Sequence, residues 1–591
     1  MPVRAPRRLR FGVFEVDLHN RELRKSGVNL KLQQKPFQVL ELLLRSPGEF
    51  VSRAELAQHL WPQLHVSFDR SLNTAVNVLR QVLGDSSRSF RYIETRSGLG
   101  YRFIGQLEEI NEPTVNPPLR GSTDSIAILP FENLTGDSNV GLVADGVAEG
   151  VISALSSLEH LRVIARTTAF RFRGPEHEPQ AVGDRLKVRL ILSSRVSYGG
   201  SSLIISTELI EVQTGTRLWG ERYSRMPSEI FGIERNITAQ ILKVLNLPSD
   251  VRPSGPLKKN YTANLEAHQD YLKGRYFFNK MSEEDLRKSI AHFEAALRQD
   301  PDYSPAYTGL ADAYSMFALL GVFPPRDAYR RVKQLVTIAL ELDQQLAEAH
   351  ASLANMKAWF EKNWPAAESA FLKALELNAN YADGHRWYAA HLSSMGRAEE
   401  ALKEIRTAQE LDPLSLVTNM EVAWSLYMAR DFRAALEQSW KTLVLEPRFA
   451  AAQHTLGLAY GQLGMMDEAV TEFQNAHTCS GGHPATIAAL GHAHAIAGNQ
   501  AAASEALDEL QQLSKRRYVS PYWRGLVYAG IRMDDLALES LEKACEDADV
   551  WSVWLKVEPR LDPLRSNTRF HKLLSRLRLD AQTAPTYVSA L

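Results

Sequence analysis

The sequence predicts a chain of three parts: a small basic α+β module at the N-terminus, an α/β middle and an all-α repeat array at the C-terminus. Three observations carry this expectation. Residues 69–104 read as an amphipathic helix followed by a glycine-containing hairpin. Residues 124–248 alternate apolar, strand-like runs with helical ones. Beyond residue 262, turn residues recur at a step of 34, as in Gly396, Arg430, Gly464 and Gly498.

Composition bounds the reading. The 591 residues, 45% hydrophobic and 23% charged, suit several soluble globular domains. The net charge of −1 conceals an asymmetry, since residues 1–107 hold 17 Lys+Arg against 9 Asp+Glu. That net +8 on an otherwise acidic chain suits a protein that presents one end to a polyanion. Cys479 and Cys545 are the only cysteines, which excludes a disulfide framework and fits a reducing compartment. No apolar run approaches the ~20 residues of a membrane span. The opening MPVRAPRRLRFG has charge but no apolar signal core, so a cytoplasmic protein without a membrane partner is expected.

Within residues 8–107, Leu9–Val16, Glu22–Lys25 and Val28–Leu32 alternate as a small antiparallel sheet would. Lys35–Arg45 turns Phe37, Leu40, Leu43 and Leu44 to one side of a helix. Ser52-Arg53-Ala54-Glu55 fits a capping box opening a second helix that runs through Trp61. A third helix runs from Asp69, a suitable N-cap, to a stop at Gly84, with Leu72, Val76, Leu79 and Leu83 on one face. Arg70, Thr74, Asn77 and Gln81 line the opposite face, and Ser71, Asn73 and Arg80 complete the candidate contact set. That stripe is polar and free of carboxylates, as entry into a DNA major groove requires, where base edges lie between acidic phosphates. Arg91–Thr95 and Tyr101–Ile104 pair through a turn that needs Gly98 and Gly100, with Arg96, Ser97 and Arg102 forming a basic edge. A basic hairpin after such a helix makes a winged helix. The third helix alone would fit any amphipathic surface helix; the two helices before it favour the DNA reading.

The runs FGVFEVD, LRKSG, KPFQVLELLLRSPGEFVSRAEL, LNTAVNVLRQVLGD and YIETRSGLGYRFIG resemble the OmpR/PhoB-type winged-helix DNA-binding domain over residues 8–107. The resemblance implies that the helix from Arg70 is the recognition helix and Arg96–Arg102 the wing. Asn77, Val78 and Ser97 stand where that family often has basic residues, so no base preference carries over. No receiver domain precedes the winged helix, so phosphorylation of an aspartate in cis is not the expected switch.

Residues 108–123, rich in Pro, Asn and acids, read as a linker. In residues 124–248, strands are expected at Ser125–Phe131, Leu161–Ala165, Val188–Ser197, Ser202–Val212 and Arg217–Tyr223. Helices are expected at Val140–Ser157, before Leu186 and at Ile230–Leu245. SIAILPFENLTGD, VADGVAEGVISALS, LRVIARTTAF and TGTRLWGERY resemble the TolB N-terminal-like domain, which implies an interaction or sensing scaffold with no catalytic set. Asp137, Asp145 and Glu149 could suggest a metal, but a loop acid and a solvated helix face are the better reading.

In residues 262–580 the step of 34 also links Ala401, Ala435, Ala469 and Ala503, small residues where helix pairs cross, and Asn378, Asp412, Glu446 and Ser480. Pro413 and Pro447 close two units. This period resembles the tetratricopeptide repeat, in about seven or eight units with looser ones near the start. Such units stack into a right-handed solenoid with a concave face for a protein or peptide partner, and WLKVEPRLDPLRSNTRFHKLLSRLRL reads as its final cap. Trp387, Tyr388, Trp424, Tyr427 and Tyr460 are expected mostly in the repeat core, with Asn419 and His454 as polar groove candidates.

His477, Cys479 and His483, with His492 and His494 nearby, have ligand-type side chains but no standard zinc spacing, and turn and packing histidines are the better reading. No phosphate loop, nucleophile elbow or HExxH is present, so neither an enzyme nor a cofactor is expected. The favoured function is a one-component DNA-binding transcription regulator with its input on the middle and repeat regions. The alternative is a repeat scaffold with weak or vestigial DNA binding. Oligomeric state stays open.

Overall fold

The computed structural model describes residues 8–580 apart from 13, 19–20, 26–27, 31, 33, 61–68, 86–90, 97–98, 106, 110–123, 159, 175–176, 200–201, 226–232, 246–261, 263 and 281. Contacts divide the chain into two compact units, Met1–Ser122 and Thr123–Leu591.

The first unit opens with β1 (Arg8–Phe11), β2 (Phe14–Asp17), β3 (Glu22–Lys25) and β4 (Val28–Leu30). Then come α1 (Gln34–Arg45), α2 (Arg53–Leu60), α3 (Asp69–Leu83), β5 (Ile93–Arg96), β6 (Gly100–Phe103) and β7 (Glu108–Glu109). The antiparallel sheet runs β4-β3-β2-β1-β7, and β5 and β6 form a separate hairpin. The single run expected at Leu9–Val16 breaks in two at Gly12, whose φ of +53° suits glycine and whose missing Cβ leaves room for the Tyr92 hydroxyl. The expected linker begins two residues late, because Glu108 and Glu109 pair with Arg10 and Leu9. The inward faces meet as foreseen: Leu40, Leu43, Leu72, Val76 and Leu79 are almost wholly buried. Phe11, Phe14, Tyr92 and Phe103 close the core edge to face, as aromatic quadrupoles favour.

The second unit begins with a sheet covered on both faces. Its elements are β8 (Asp124–Ile128), β9 (Glu132–Asn133), α4 (Ser138–Ser156), β10 (Leu161–Val163), α5 (Arg166–Ala169) and α6 (Pro179–Leu186). They continue with β11 (Leu190–Gly199), β12 (Ser202–Glu211), β13 (Arg217–Arg225) and α7 (Ile233–Val244). Strand order is β10-β8-β11-β12-β13, with β10, β8 and β11 parallel and the last three antiparallel. Alternation sends Ile126 and Ile128 toward α4 and α7, and Ala127 and Leu129 toward α5 and α6.

Sixteen helices then pair into eight antiparallel hairpins among the described residues. The first three are α8–α9 (Leu265–Phe278, Glu283–Gln299), α10–α11 (Ser304–Leu319, Pro325–Leu342) and α12–α13 (Ala347–Trp359, Trp364–Leu377). The next three are α14–α15 (Ala382–Ser394, Ala398–Leu411), α16–α17 (Leu416–Met428, Phe432–Leu445) and α18–α19 (Ala450–Gln462, Met466–Ser480). The last two are α20–α21 (Pro484–Ile496, Gln500–Ser514) and α22–α23 (Pro521–Ile531, Asp534–Glu546). Ala401, Ala435, Ala469 and Ala503 are all buried to within 1%, as close helix crossing demands. The first helix of each regular unit ends in a left-handed residue at the 34-residue step: Lys362, Gly396, Arg430, Gly464, Gly498 and Arg532.

The repeats grip the sheet domain through their turns. Asn380 takes the N–H of Val163 on the β10 edge and donates to the Ser156 and Leu158 carbonyls. Asp412 accepts from Thr167 and Thr168, and burial raises its carboxyl above the usual range. This packing corrects the expectation of a solvated face on α4. Asp145 is buried and paired with Arg173 at 2.6 Å, Glu149 faces Arg166 at 3.1 Å, and His268 of α8 lies against Gly146. Asn419, expected in the groove, is instead buried at a repeat turn, donating to the Pro413 carbonyl and accepting from Gln409 and Gln438.

The end of the chain departs most from expectation. The segment after α23 packs on the last repeat, where Arg569 pairs with Asp535 and Glu542, but it also reaches well beyond it. It runs through two 3-10 turns (Val550–Trp554 and Pro559–Leu564) into α24 (Thr568–Arg576). It touches units two, three, five and eight: Trp551 Nε1 donates to the Leu319 carbonyl, Trp364 Nε1 to the Leu577 carbonyl, and Tyr427 and Tyr522 to Glu558. In these bonds it meets the units through their first helices and the turns or helix starts that follow them. The early and late repeats also meet directly, where Arg517 donates to the Leu320 and Gly321 carbonyls and pairs with Glu283.

Candidate nucleic-acid interface

Helix α3 owes its position to its apolar stripe. Leu72, Val76, Leu79 and Leu83 are at most 2% exposed, so Asn73, Thr74, Asn77 and Gln81 stand outward. Gly84, at φ +64°, ends the helix as expected. The capping box at α2 forms in both directions: Glu55 N donates to Ser52 Oγ (3.2 Å) and Ser52 N to Glu55 Oε2 (2.8 Å). Hydrogen bonds from the Ser52 backbone N–H and the Ser52 hydroxyl hold the Glu55 carboxyl below the usual carboxylate range. The side chains of Arg70 and Ser71, and the whole of Ser97 and Gly98, lie outside the described residues, as does the expected end of α2 at Trp61.

Two candidate contacts also bond within the domain. Arg80 turns inward with 7% exposure and donates through Nη2 to the Ile93 carbonyl (2.8 Å) and to Thr95 Oγ1 (2.7 Å). Four residues after Val76, it sits at the border of the apolar face and cross-ties α3 to β5. Arg102 lies along the hairpin, with Nε on Glu94 Oε2 at 2.5 Å and its guanidinium 4.6 Å from the centre of the Phe50 ring. Arg96 remains exposed at the end of β5, next to the turn that carries half-exposed Leu99.

Three residues beyond the candidate set organise the surface. Arg53 donates to Asn73 Oδ1 (2.9 Å) and to the Tyr101 hydroxyl (2.8 Å), and that hydroxyl donates to Asn73 Oδ1 (3.1 Å). This triangle fixes the first residue of α2, the second turn of α3 and the second wing strand to one another. Asp85, just past the α3 stop, accepts the N–H groups of Arg91, Tyr92 and Ile93 at 2.7–3.0 Å and pins the start of the hairpin. These links join residues 20 to 48 positions apart, which no local period discloses, although Arg53 inside the capping box and Tyr101 in the GYRF tail are visible as residues. Gly100 has φ +116°, and a Cβ there would strike the Val51 carbonyl, which accepts the Tyr101 N–H (3.1 Å).

The other ligand-type cluster does not assemble. His483 caps α20 by accepting the Ala485 N–H, and no group of three His, Cys, Asp or Glu is arranged to hold a metal among the described residues. No helix among them is long and apolar enough to cross a membrane.

Residues 27–103 match the family model "Transcriptional regulatory protein, C terminal", and residues 450–476 match "Tetratricopeptide repeat". The chain is 24% identical over 409 residues to the transcriptional regulator HilA of Salmonella typhimurium, covering 68% of this chain and 71% of that one. A candidate adenylate cyclase of Rhizobium meliloti is 29% identical over 256 residues, 42% of each chain. Among solved structures, the Klebsiella pneumoniae RstA DNA-binding domain bound to the RstA box is 29% identical and aligns over 16% of this chain and 96% of its own, with a TM-score of 0.16. The chain thus carries an N-terminal DNA-binding domain of the OmpR/PhoB winged-helix type, followed by tetratricopeptide repeats.

Proposed function

We propose that the protein is a cytoplasmic, one-component transcription regulator that reads DNA through α3 and its hairpin and takes its input through the second unit. The observation that carries this is the outward stripe of Thr74, Asn77 and Gln81 on a helix whose opposite face is fully buried. Amide side chains there can bond donor and acceptor pairs on base edges. Arg70, Ser71 and Asn73 flank the stripe toward the helix start, where phosphates pass. Arg96, Ser97 and the Leu99 turn reach the phosphates or the minor groove, while Arg80 and Arg102 position the wing rather than touch DNA. The sheet domain, with its TolB N-terminal-like sequence, acts as an interaction scaffold clamped to the repeats. A role confined to assembly through the repeats is the competing reading, and the net +8 of residues 1–107 favours DNA.

Selection of genomic fragments with the full-length protein, then footprinting at two salt concentrations, tests this. A recurrent protected motif whose occupancy falls steeply with salt is expected, because each neutralised phosphate releases counterion. No enrichment over random DNA, with residues 1–110 equally inactive, would leave the scaffold reading.

A further inference from the structure

The first helices of several repeats, and the turns that follow them, are already occupied. Two kinds of contact hold the segment from Asp549 to Leu579 there. The first is aromatic. Trp554 packs edge-on against Trp424 at 5.3 Å, Trp551 lies tilted against Trp523 at 4.6 Å and stacks on Tyr522 at 6.4 Å, and Val550 joins the core of units one to three. At its centre Glu558, wholly buried, takes both the Tyr427 and Tyr522 hydroxyls and a two-pronged bond from Arg560.

The second kind of contact sits at the left-handed turn positions. Glycine is the residue of least strain there, and Gly464 and Gly498 obey. Lys362, Arg430 and Arg532 break the rule at φ +52°, +66° and +70°; the first two point into the segment, while Arg532 is exposed. Lys362 Nζ donates to the Asp549 carbonyl at 3.0 Å, and Arg430 binds both oxygens of Asp562 at 2.6 and 2.7 Å. Gly396, between them in the register, lies against Lys556 and Val557. Two of the three cations at these positions thus contact the chain's own tail.

We propose that Asp549–Leu579 is an internal ligand of the repeat groove, and that a protein partner engages the repeats by supplying a segment of the same chemistry in its place: spaced tryptophans followed by acidic residues that meet Arg430 and the tyrosine pair. This rests on the partner-binding half of the reading above and names the chemistry of that partner. The segment's sequence, DVWSVWLKVEPRLD, is the template. The groove it fills is not a vacant peptide site, and any competitor has to displace it.

The test uses the full chain and a labelled synthetic peptide of residues 546–580. Asp562→Arg places like charges opposite Arg430 while leaving the groove intact. Amide exchange within 549–579 should then rise at least threefold while the repeat helices stay protected. The peptide should bind this variant and be excluded from the wild type. Adding Arg430→Asp should restore protection and exclude the peptide again. Trp554→Ala is the second opening variant and should behave like Asp562→Arg. The proposal is overturned if exchange rises equally throughout the repeats, since the segment is then core, or if the opened chains leave the peptide unbound. Footprinting of the same preparations separates this failure from failure of the DNA reading, because the substitutions lie outside the winged helix.

Discussion

Asn77 and Arg96 do different work on the DNA surface, and the difference is measurable. An amide facing base edges discriminates among sequences, whereas an arginine on phosphate does not. Asn77→Ala is expected to narrow the gap between operator and random DNA by about 1–3 kcal/mol. Arg96→Ala should weaken both alike and lower the salt slope by about one. Equal losses on both DNAs for Asn77→Ala in a titration would remove it from base readout. Asp85 carries a different load. Losing a carboxylate that accepts three backbone N–H groups should cost about 2–3 kcal/mol in urea unfolding of the N-terminal unit. His391 is 5% exposed, and burial pushes its imidazole down to about 4. It binds fewer protons folded than unfolded between that value and the ordinary 6.5, so its share of stability is complete above 6.5 and is lost as pH falls through the window. Compared with His391→Gln, the wild type should lose up to about 1.4 kcal/mol per pH unit between pH 6.5 and 4. Parallel unfolding curves for the two proteins across that range would disprove it.

At the scale of elements, the hairpin stands or falls with Gly100. Gly100→Ala adds a Cβ against the Val51 carbonyl in a backbone region that disfavours it, and should cost on the order of 3 kcal/mol. Footprints should then shrink by the flank that the wing covers, with the α3 contact intact. An unchanged footprint with unchanged stability would show that the hairpin tolerates the side chain. The same element shows what a sequence can and cannot disclose. Helix α3 was legible because Leu72, Val76, Leu79 and Leu83 keep one period and the opposite stripe lacks carboxylates. The hairpin was legible because Gly98 and Gly100 punctuate two β-rich runs. The inward turn of Arg80 was not, because charge suggested solvent, while its place beside Val76 and Leu79 depended on acceptors thirteen and fifteen residues away. Likewise α4 looked solvated at Asp145 and Glu149, since periodicity says nothing of a repeat helix arriving from residue 265 onward.

For the whole molecule, the step of 34 disclosed the units but not their enclosure. Arg430 was visible only as an exception among glycines, and its partner lies 132 residues away. Contacts at that separation leave no local period. The chain as a whole falls into two parts: a basic unit with its own core, and an acidic body whose last segment packs on its own repeats.

The bonds from Arg517 to Leu320, Gly321 and Glu283 alter the physics of the body. An open stack of repeats behaves as a row of dominoes: its ends melt first, and each unit leaves for the loss of one neighbour. Joining the head of the row to its tail removes those ends. Melting should then pass in one sharp calorimetric step, and Arg517→Ala should broaden it into a graded one beginning at the outermost units. If both proteins melt with the same width, the join is too weak to couple the ends.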